Sequence, residues 1–234
     1  MEKYDDDDIL DDTKDELLLP RMYDRFPGYF SKILNSGDNI LAISRTYSII
    51  AYAFIDDNIY GIWDPAISYD YANNLPINDV YKTDAKWLSY GSKFGFCRLF
   101  GLKVEGGSVC TDTPFTGTTI TSRNIFPPVD FALMYYPGIP PLSISANDFA
   151  NSDTNFKMWG NGDVTSKVYV FPQTTYCGKY RSTTVNFGTG YFLYCGGHFI
   201  FPTLDVIAYG GEAFQITVTV YLELKDYLGF QQLP

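Results

Sequence analysis

Between Gln215 and Lys225 the sequence alternates without a break. Ile216, Val218, Val220, Leu222 and Leu224 fall on one side, and Gln215, Thr217, Thr219, Tyr221, Glu223 and Lys225 on the other. Successive side chains on a strand point to opposite faces, so this period of two predicts a strand with one dry face and one wetter one. A slip of one residue would turn every aliphatic side chain into water, so the register is strongly specified. Such a strand cannot stand alone. It needs neighbours in a sheet and a second layer against its dry face.

Other segments supply both. Residues 40–55 are β-branched and aromatic throughout and read as a long strand. From Lys93 to Glu105 the chain alternates again, with Phe94, Phe96, Phe100, Leu102 and Val104 on one face and Arg98 as the exception among them. Shorter strands are expected at 130–136, 156–159 and 166–171, the last two joined by a turn at Gly160-Asn161-Gly162-Asp163. Segments 191–195 and 198–201 flank Gly196-Gly197 and read as a further hairpin. Residues 78–90 are the one helix candidate, with Asn78 as its cap. Residues 21–38 read as irregular surface chain, 59–77 as mixed, and 106–128, 139–155 and 172–190 as loops rich in Gly, Pro, Asn and Thr. The sum is about eight strands with no βα alternation, which points to an all-β fold: a single eight-stranded antiparallel jelly roll, a two-sheet sandwich with long loops and one short helix.

Charge divides the chain in two. Residues 1–24 hold ten acids and three bases, whereas the remainder holds 17 acids and 14 bases. The expected organisation is an acidic N-terminal arm at 1–25 and one domain at 26–234. Asp5 to Asp8 repel one another, so a solvated tail is the simplest reading. Leu17-Leu18-Leu19 before Pro20 offers an alternative, an apolar clip onto the body or a neighbour. The N-terminus lacks the order of basic and apolar regions that marks a secretory signal, and no apolar run suits a bilayer span, so no membrane partner is expected. The body is close to neutral yet rich in Tyr (20) and Phe (18), a composition that suits protein interfaces.

Residues that carry chemistry are scarce. His198 is the single histidine, and a triad or a cupin-like metal barrel needs more than one such group with partners. Cys97, Cys110, Cys177 and Cys195 form no C-x-x-C pair and read as buried thiols. Asp56-Asp57 with Asp64, and Asp148 with Asp153, lack the spacing of a calcium loop and suit turns better. No nucleophile elbow, P-loop or H-E-x-x-H motif occurs. The expectation is a protein without a cofactor or a catalytic site.

Residues 78–94 (NDVYKTDAKWLSYGSKF) run into FCRLFGLKVE, where Tyr90, Arg98, Gly101, Lys103, Val104 and Glu105 form a recognisable texture. With Ser166 to Pro172 and the closing ITVTVYLELKDY, this resembles the coat proteins of circovirus-like, circular single-stranded DNA viruses that encode a replication initiator. The resemblance spans about residues 40–227. It implies a jelly-roll shell subunit, about sixty copies around a small genome, location in the virion, and host-cell or nuclear assembly. One departure matters. Coat proteins of that group begin with an Arg-rich arm, whereas this chain begins with acid, which opposes phosphate binding.

Interface candidates are apolar residues in otherwise polar loops: Phe115, Ile125, Phe126 and Pro127 in the first, Ile139, Pro140, Leu142 and Phe149 in the second, and Tyr176 and Tyr180 in the third. Arg45, Lys93, Arg98 and Lys103 are the candidates for nucleic-acid contact. The competing class is a jelly-roll module that binds a sugar or a host receptor without catalysis, with Trp63, Trp87 and Trp159 available for stacking. An enzyme ranks third.

Overall fold

The computed structural model describes residues 20–36, 39–53, 58–64, 74–108, 126–141, 144, 146–160, 164–173, 175, 177–183, 190–198 and 211–228. In chain order these form β1 (Arg21–Tyr23), α1 (Gly28–Ser36), β2 (Ile40–Ala53), β3 (Asn58–Asp64), β4 (Asn74–Pro76), α2 (Ile77–Tyr81) and α3 (Ala85–Ser89). There follow β5 (Phe94–Ser108), β6 (Phe126–Tyr135), α4 (Ala146–Ala150), β7 (Phe156–Gly160), β8 (Thr165–Val170), β9 (Arg181–Ser182), β10 (Tyr191–His198) and β11 (Gly211–Tyr227).

The pairing is antiparallel throughout and follows the order β1-β8-β5-β11-β2-β3-β10-β6-β7. One sheet is centred on β8-β5-β11-β2 and the other on β3-β10-β6-β7. The two join where β3 pairs with both β2 and β10. From β2 the chain passes to β3 and the second sheet, back to β5, over to β6 and β7, back to β8, over to β10 and home to β11. That exchange between two four-stranded layers is jelly-roll winding. The short strands β1, β4 and β9 extend the edges.

β11 occupies the centre of its sheet, between β5 and β2. Its aliphatic row, Ile216, Val218, Val220, Leu222 and Leu224, is at most 2% exposed. It meets Leu102 and Val104 from β5, Ile43 and Tyr47 from β2, Leu133 from β6 and Leu193 from β10 in one core. Thr154 ties the layers together. Its hydroxyl donates to the Leu133 carbonyl (2.7 Å) and accepts from the Leu133 N–H (3.1 Å), while its own carbonyl accepts from the Tyr169 hydroxyl of β8 (3.0 Å).

β5 corrects the sequence reading. Tyr221 lies opposite Gly101 and Leu222 opposite Leu99, so Phe100 is an extra residue, a bulge. Cys97 and Leu99 face the core on one side of it, and Leu102 and Val104 on the other. The apparent exception, Arg98, is therefore not on the core face. The bulge also delivers Phe100 to the outer face, where α1 lies. Phe30 of α1 stacks between Phe26 (3.9 Å between centroids) and Phe100 (4.1 Å), and Tyr221 meets both α1-side rings edge-on. Residues 21–38, expected to be irregular, thus hold a strand that extends the sheet edge and a helix that packs on its outer face.

Three further expectations change. The helix at 78–90 is two short helices. The Tyr81 carbonyl accepts from the Asp84 N–H (2.9 Å), and the Asp84 carboxylate caps α3 by accepting from the Lys86 N–H (2.8 Å). β7 and β8 are not a hairpin: β7 pairs with β6, and β8 with β5 and β1. Gly196-Gly197 makes no turn. β10 runs through it, with Gly196 opposite Asp130 and Gly197 opposite Ile59, which is how one strand serves both β6 and β3.

Candidate functional site

The predicted nucleic-acid residues do not gather into one surface. Arg98 is buried, and its Nε donates to Glu223 Oε2 at 2.5 Å across the β5–β11 ladder. Its guanidinium lies over the Phe100 ring at 5.1 Å and the Tyr180 ring at 5.4 Å. Arg45 donates to the Asp79 carbonyl of α2 (3.0 Å) and lies over the Tyr47 ring. Lys103 pairs with Glu105 two residues along the same strand. Lys93 is half-buried in the short 3₁₀ turn before β5. Arg98, Arg45 and Lys103 are thus engaged within the chain, and Arg98 is withdrawn from the surface that a phosphate backbone would require.

The interface candidates divide as well. Ile139 is 98% exposed, and Pro140 beside it is half-buried. Tyr180 is half-buried beneath Arg98 and Lys225, and burial, followed by the Glu223 carboxylate, raises its pKa. Phe149 is buried. It sits on α4, inside the expected loop, and packs with Ala132 and Tyr194. It therefore supports the body of this chain and is not displayed. Phe126 and Pro127 belong to β6, at an irregularity between Phe126 and Val129 where a proline costs no ladder bond. Phe115, Ile125, Leu142 and Tyr176 lie outside the described residues.

The structure adds a surface that the loop reading missed. Leu88, Tyr90, Phe96, Tyr227 and Leu228 are each 42–60% exposed. Phe96, Tyr227 and Leu228 lie at one end of the β5–β11 pair, on both sides of the sheet, and Leu88 and Tyr90 belong to α3 and its C-terminal cap, which lead into β5. The Phe94 ring touches Tyr90 and Tyr227, each at 5.2 Å, and the Leu228 N–H donates to the Lys93 carbonyl at 2.9 Å. Tyr227 lies opposite Phe94 and Lys225 opposite Phe96, so Phe96 is the diagonal neighbour of Tyr227. The one signal in the sequence was that YGSKFGF and DYL break the polar side of the alternation with rings.

Reactive chemistry is sparse. Among the described residues, no three His, Cys, Asp or Glu side chains are grouped to hold a metal. Cys97, Cys177 and Cys195 are buried and unbridged, and burial pushes the Cys97 and Cys195 thiols up. Cys110 lies outside the described residues, and His198 ends β10 opposite Asn58. No helix among the described residues is long and apolar enough to cross a membrane.

The winding and the two-sheet core place the chain among antiparallel jelly-roll proteins. The sequence matches no protein-family model and no curated protein. Solved structures do match. The capsid protein of Penaeus vannamei nodavirus, in a T=1 subviral particle of a deletion mutant, aligns at TM-score 0.50 and 9% identity, over 80% of this chain and 97% of that one. The BFDV capsid protein in its 60-mer aligns at TM-score 0.42 and 10% identity, over 93% and 100%. Desmodium yellow mottle tymovirus aligns at 0.41 and 12%, over 94% and 99%.

Proposed function

We propose that this chain is the coat subunit of a small virus and works by assembling with copies of itself into a closed shell. The observation that carries this reading is the jelly-roll winding, shared with a nodavirus capsid protein over most of both chains. The fold supplies a rigid two-layer plate. The surface supplies exposed rings and leucines at a strand end, and Ile139 at a loop tip. Burying such groups against sister molecules is the driving force of assembly, at about 25 cal/mol per Å² of apolar area. Several weak contacts per subunit then sum to a stable particle. No reacting group is needed, and the role is structural.

Sixty copies around a nucleic-acid genome is the simplest shell of this kind. In that reading the subunit holds its genome weakly, because Arg98, Arg45 and Lys103 have partners inside the chain and residues 1–24 carry a net −7. The acid of residues 1–24 would oppose phosphate binding. The test is electron microscopy with sedimentation velocity on the purified full-length chain, at several salt concentrations and pH values. Closed particles of uniform size are expected. A monomer under every condition overturns the reading.

A further inference from the structure

We infer that the apolar end of the β5–β11 pair, built from Leu88, Tyr90, Phe96, Tyr227 and Leu228, is a contact surface for a second copy of this chain. The inference rests on the coat-subunit reading and names one of its surfaces.

Three observations support a second copy as the occupant. The first is size. Five large side chains about half exposed leave on the order of 500 Å² of mostly apolar surface. Single exposed apolar residues need no explanation, but a contiguous patch of roughly 300–600 Å² is often functional. A standard interface removes about 800 Å² per partner. The patch is thus most of one modest contact, too small for a tight isolated dimer and suited to a contact repeated around a shell.

The second observation is charge. Lys86, Lys93 and Lys225 stand around the patch, and so do Asp84 and Asp226. An apolar centre with both signs at its rim is complementary to itself, whereas a rim of one sign would call for an oppositely charged partner. The third is construction. Phe96 and Tyr227 sit on paired strands, Leu88 and Tyr90 on α3 and its cap, and Leu228 directly after β11. The Leu228 N–H bond to Lys93 and the Phe94 ring beneath Tyr90 and Tyr227 hold its parts in place, so little order need be gained on contact.

The test uses the full-length chain, the double variant Tyr90→Ser/Phe96→Ser, the single variant Leu228→Asp, and Val164→Ser as a control at a 77% exposed position just before β8. Far-UV circular dichroism and thermal unfolding establish that each variant folds. Sedimentation velocity then gives the protein concentration for half-assembly. The patch variants are expected to raise it at least tenfold and the control less than twofold. Leu228→Asp keeps the test valid should the double variant misfold. If the wild type assembles and the folded patch variants assemble at the same concentration, this inference fails and the coat reading stands. If the patch is covered by the chain's own residues 229–234, deleting them will promote assembly through the uncovered patch while the patch variants behave as wild type, which also overturns it. A wild-type monomer throughout overturns both.

Discussion

Arg98 Nε donates to Glu223 Oε2 at 2.5 Å, between two residues that face each other across the β5–β11 ladder. The pair sits against the Tyr180 ring, over which Arg98 lies, with the Arg98 side chain 9% exposed and the Glu223 side chain 21%. Removing one member of a buried pair leaves the other charge uncompensated, whereas removing both can be close to neutral. Glu223→Leu alone should therefore destabilise the fold by about 2–3 kcal/mol, a little under the fully buried case because Glu223 keeps some water. Arg98→Met/Glu223→Leu should come within about 1 kcal/mol of wild type. Urea unfolding of the two singles and the double measures this. Additive losses would show that the pair is not coupled.

The ring stack on the outer face gives a second coupled test. A Cβ on Gly101 would lie 2.6 Å from the Phe30 ring, which the bare glycine admits. Phe30→Ala should cost about 3–4 kcal/mol through lost burial and the cavity left between Phe26 and Phe100. Gly101→Ala should cost roughly 1–3 kcal/mol by overpacking. In the Phe30→Ala background the ring is gone, so Gly101→Ala should become nearly neutral. A double-mutant cycle by urea unfolding reads the coupling, and two additive losses would mean that α1 does not hold Phe30 on Gly101.

The sequence made the regular parts legible and hid the irregular ones, for physical reasons. β11 alternates because it is central and meets water on one face only, so every residue reports its side. β5 is as long, but Phe100 is an inserted residue, and a bulge reverses the alternation without changing composition. The reversal made Arg98 look like a charge on the core face. β1 and α1 were missed because three residues of strand and nine of helix owe their place to tertiary contacts, the β8 edge and the Phe30 stack, and not to local pattern. Gly196-Gly197 looked like a turn, since glycine usually marks one; here it lets β10 pass from β6 to β3. The same locality limits the candidate site. Loop rings are visible one segment at a time, so Phe149 was read as displayed when α4 turns it inward. The patch at Tyr90, Phe96 and Tyr227 joins residues more than a hundred positions apart, and only the pairing of β5 with β11 reveals it.

Burial raises the pKa of Tyr47, Tyr169, Tyr191 and Tyr194 above the usual tyrosine value near 10. The Tyr169 and Tyr194 hydroxyls also donate hydrogen bonds, to the carbonyls of Thr154 and Pro141. The folded chain holds these protons at a pH where the unfolded chain releases them, so stability falls as pH rises. This contribution is fully present below the unfolded value near pH 10 and is lost progressively above it. Alkaline unfolding followed by circular dichroism should begin close to pH 10 and be cooperative, with the absorbance of these phenolates appearing in the same transition. Their ionisation near pH 10 in a still-folded protein would contradict the burial. Tyr169→Phe removes one titrating group and should shift the alkaline midpoint upward, at some cost in neutral stability from the lost bond to Thr154.

Among the described residues, a buried Pro20 and the β1–β8 pairing of Arg21 with Val170 come first, and they lie inside the stretch expected to be arm. Residues 1–19 carry a net −7 of the chain's −10. A chain starting at Pro20 should keep its thermal midpoint within about 2 °C of the full-length protein, since a shift of 1 kcal/mol moves a domain of this size by about 2–4 °C. Assembly should respond differently. Like-charged arms on neighbouring subunits repel, and that repulsion is screened beyond about 10 Å at 0.1 M salt. The full-length chain should therefore assemble more readily as salt rises, while the shortened chain assembles already at low salt and changes little. Light scattering against salt concentration, run on both proteins at equal concentration, measures this. A shortened chain that fails to fold would make Leu17-Leu18-Leu19 part of the body after all, and one whose salt response matches the full-length protein would remove the arm from the control of assembly.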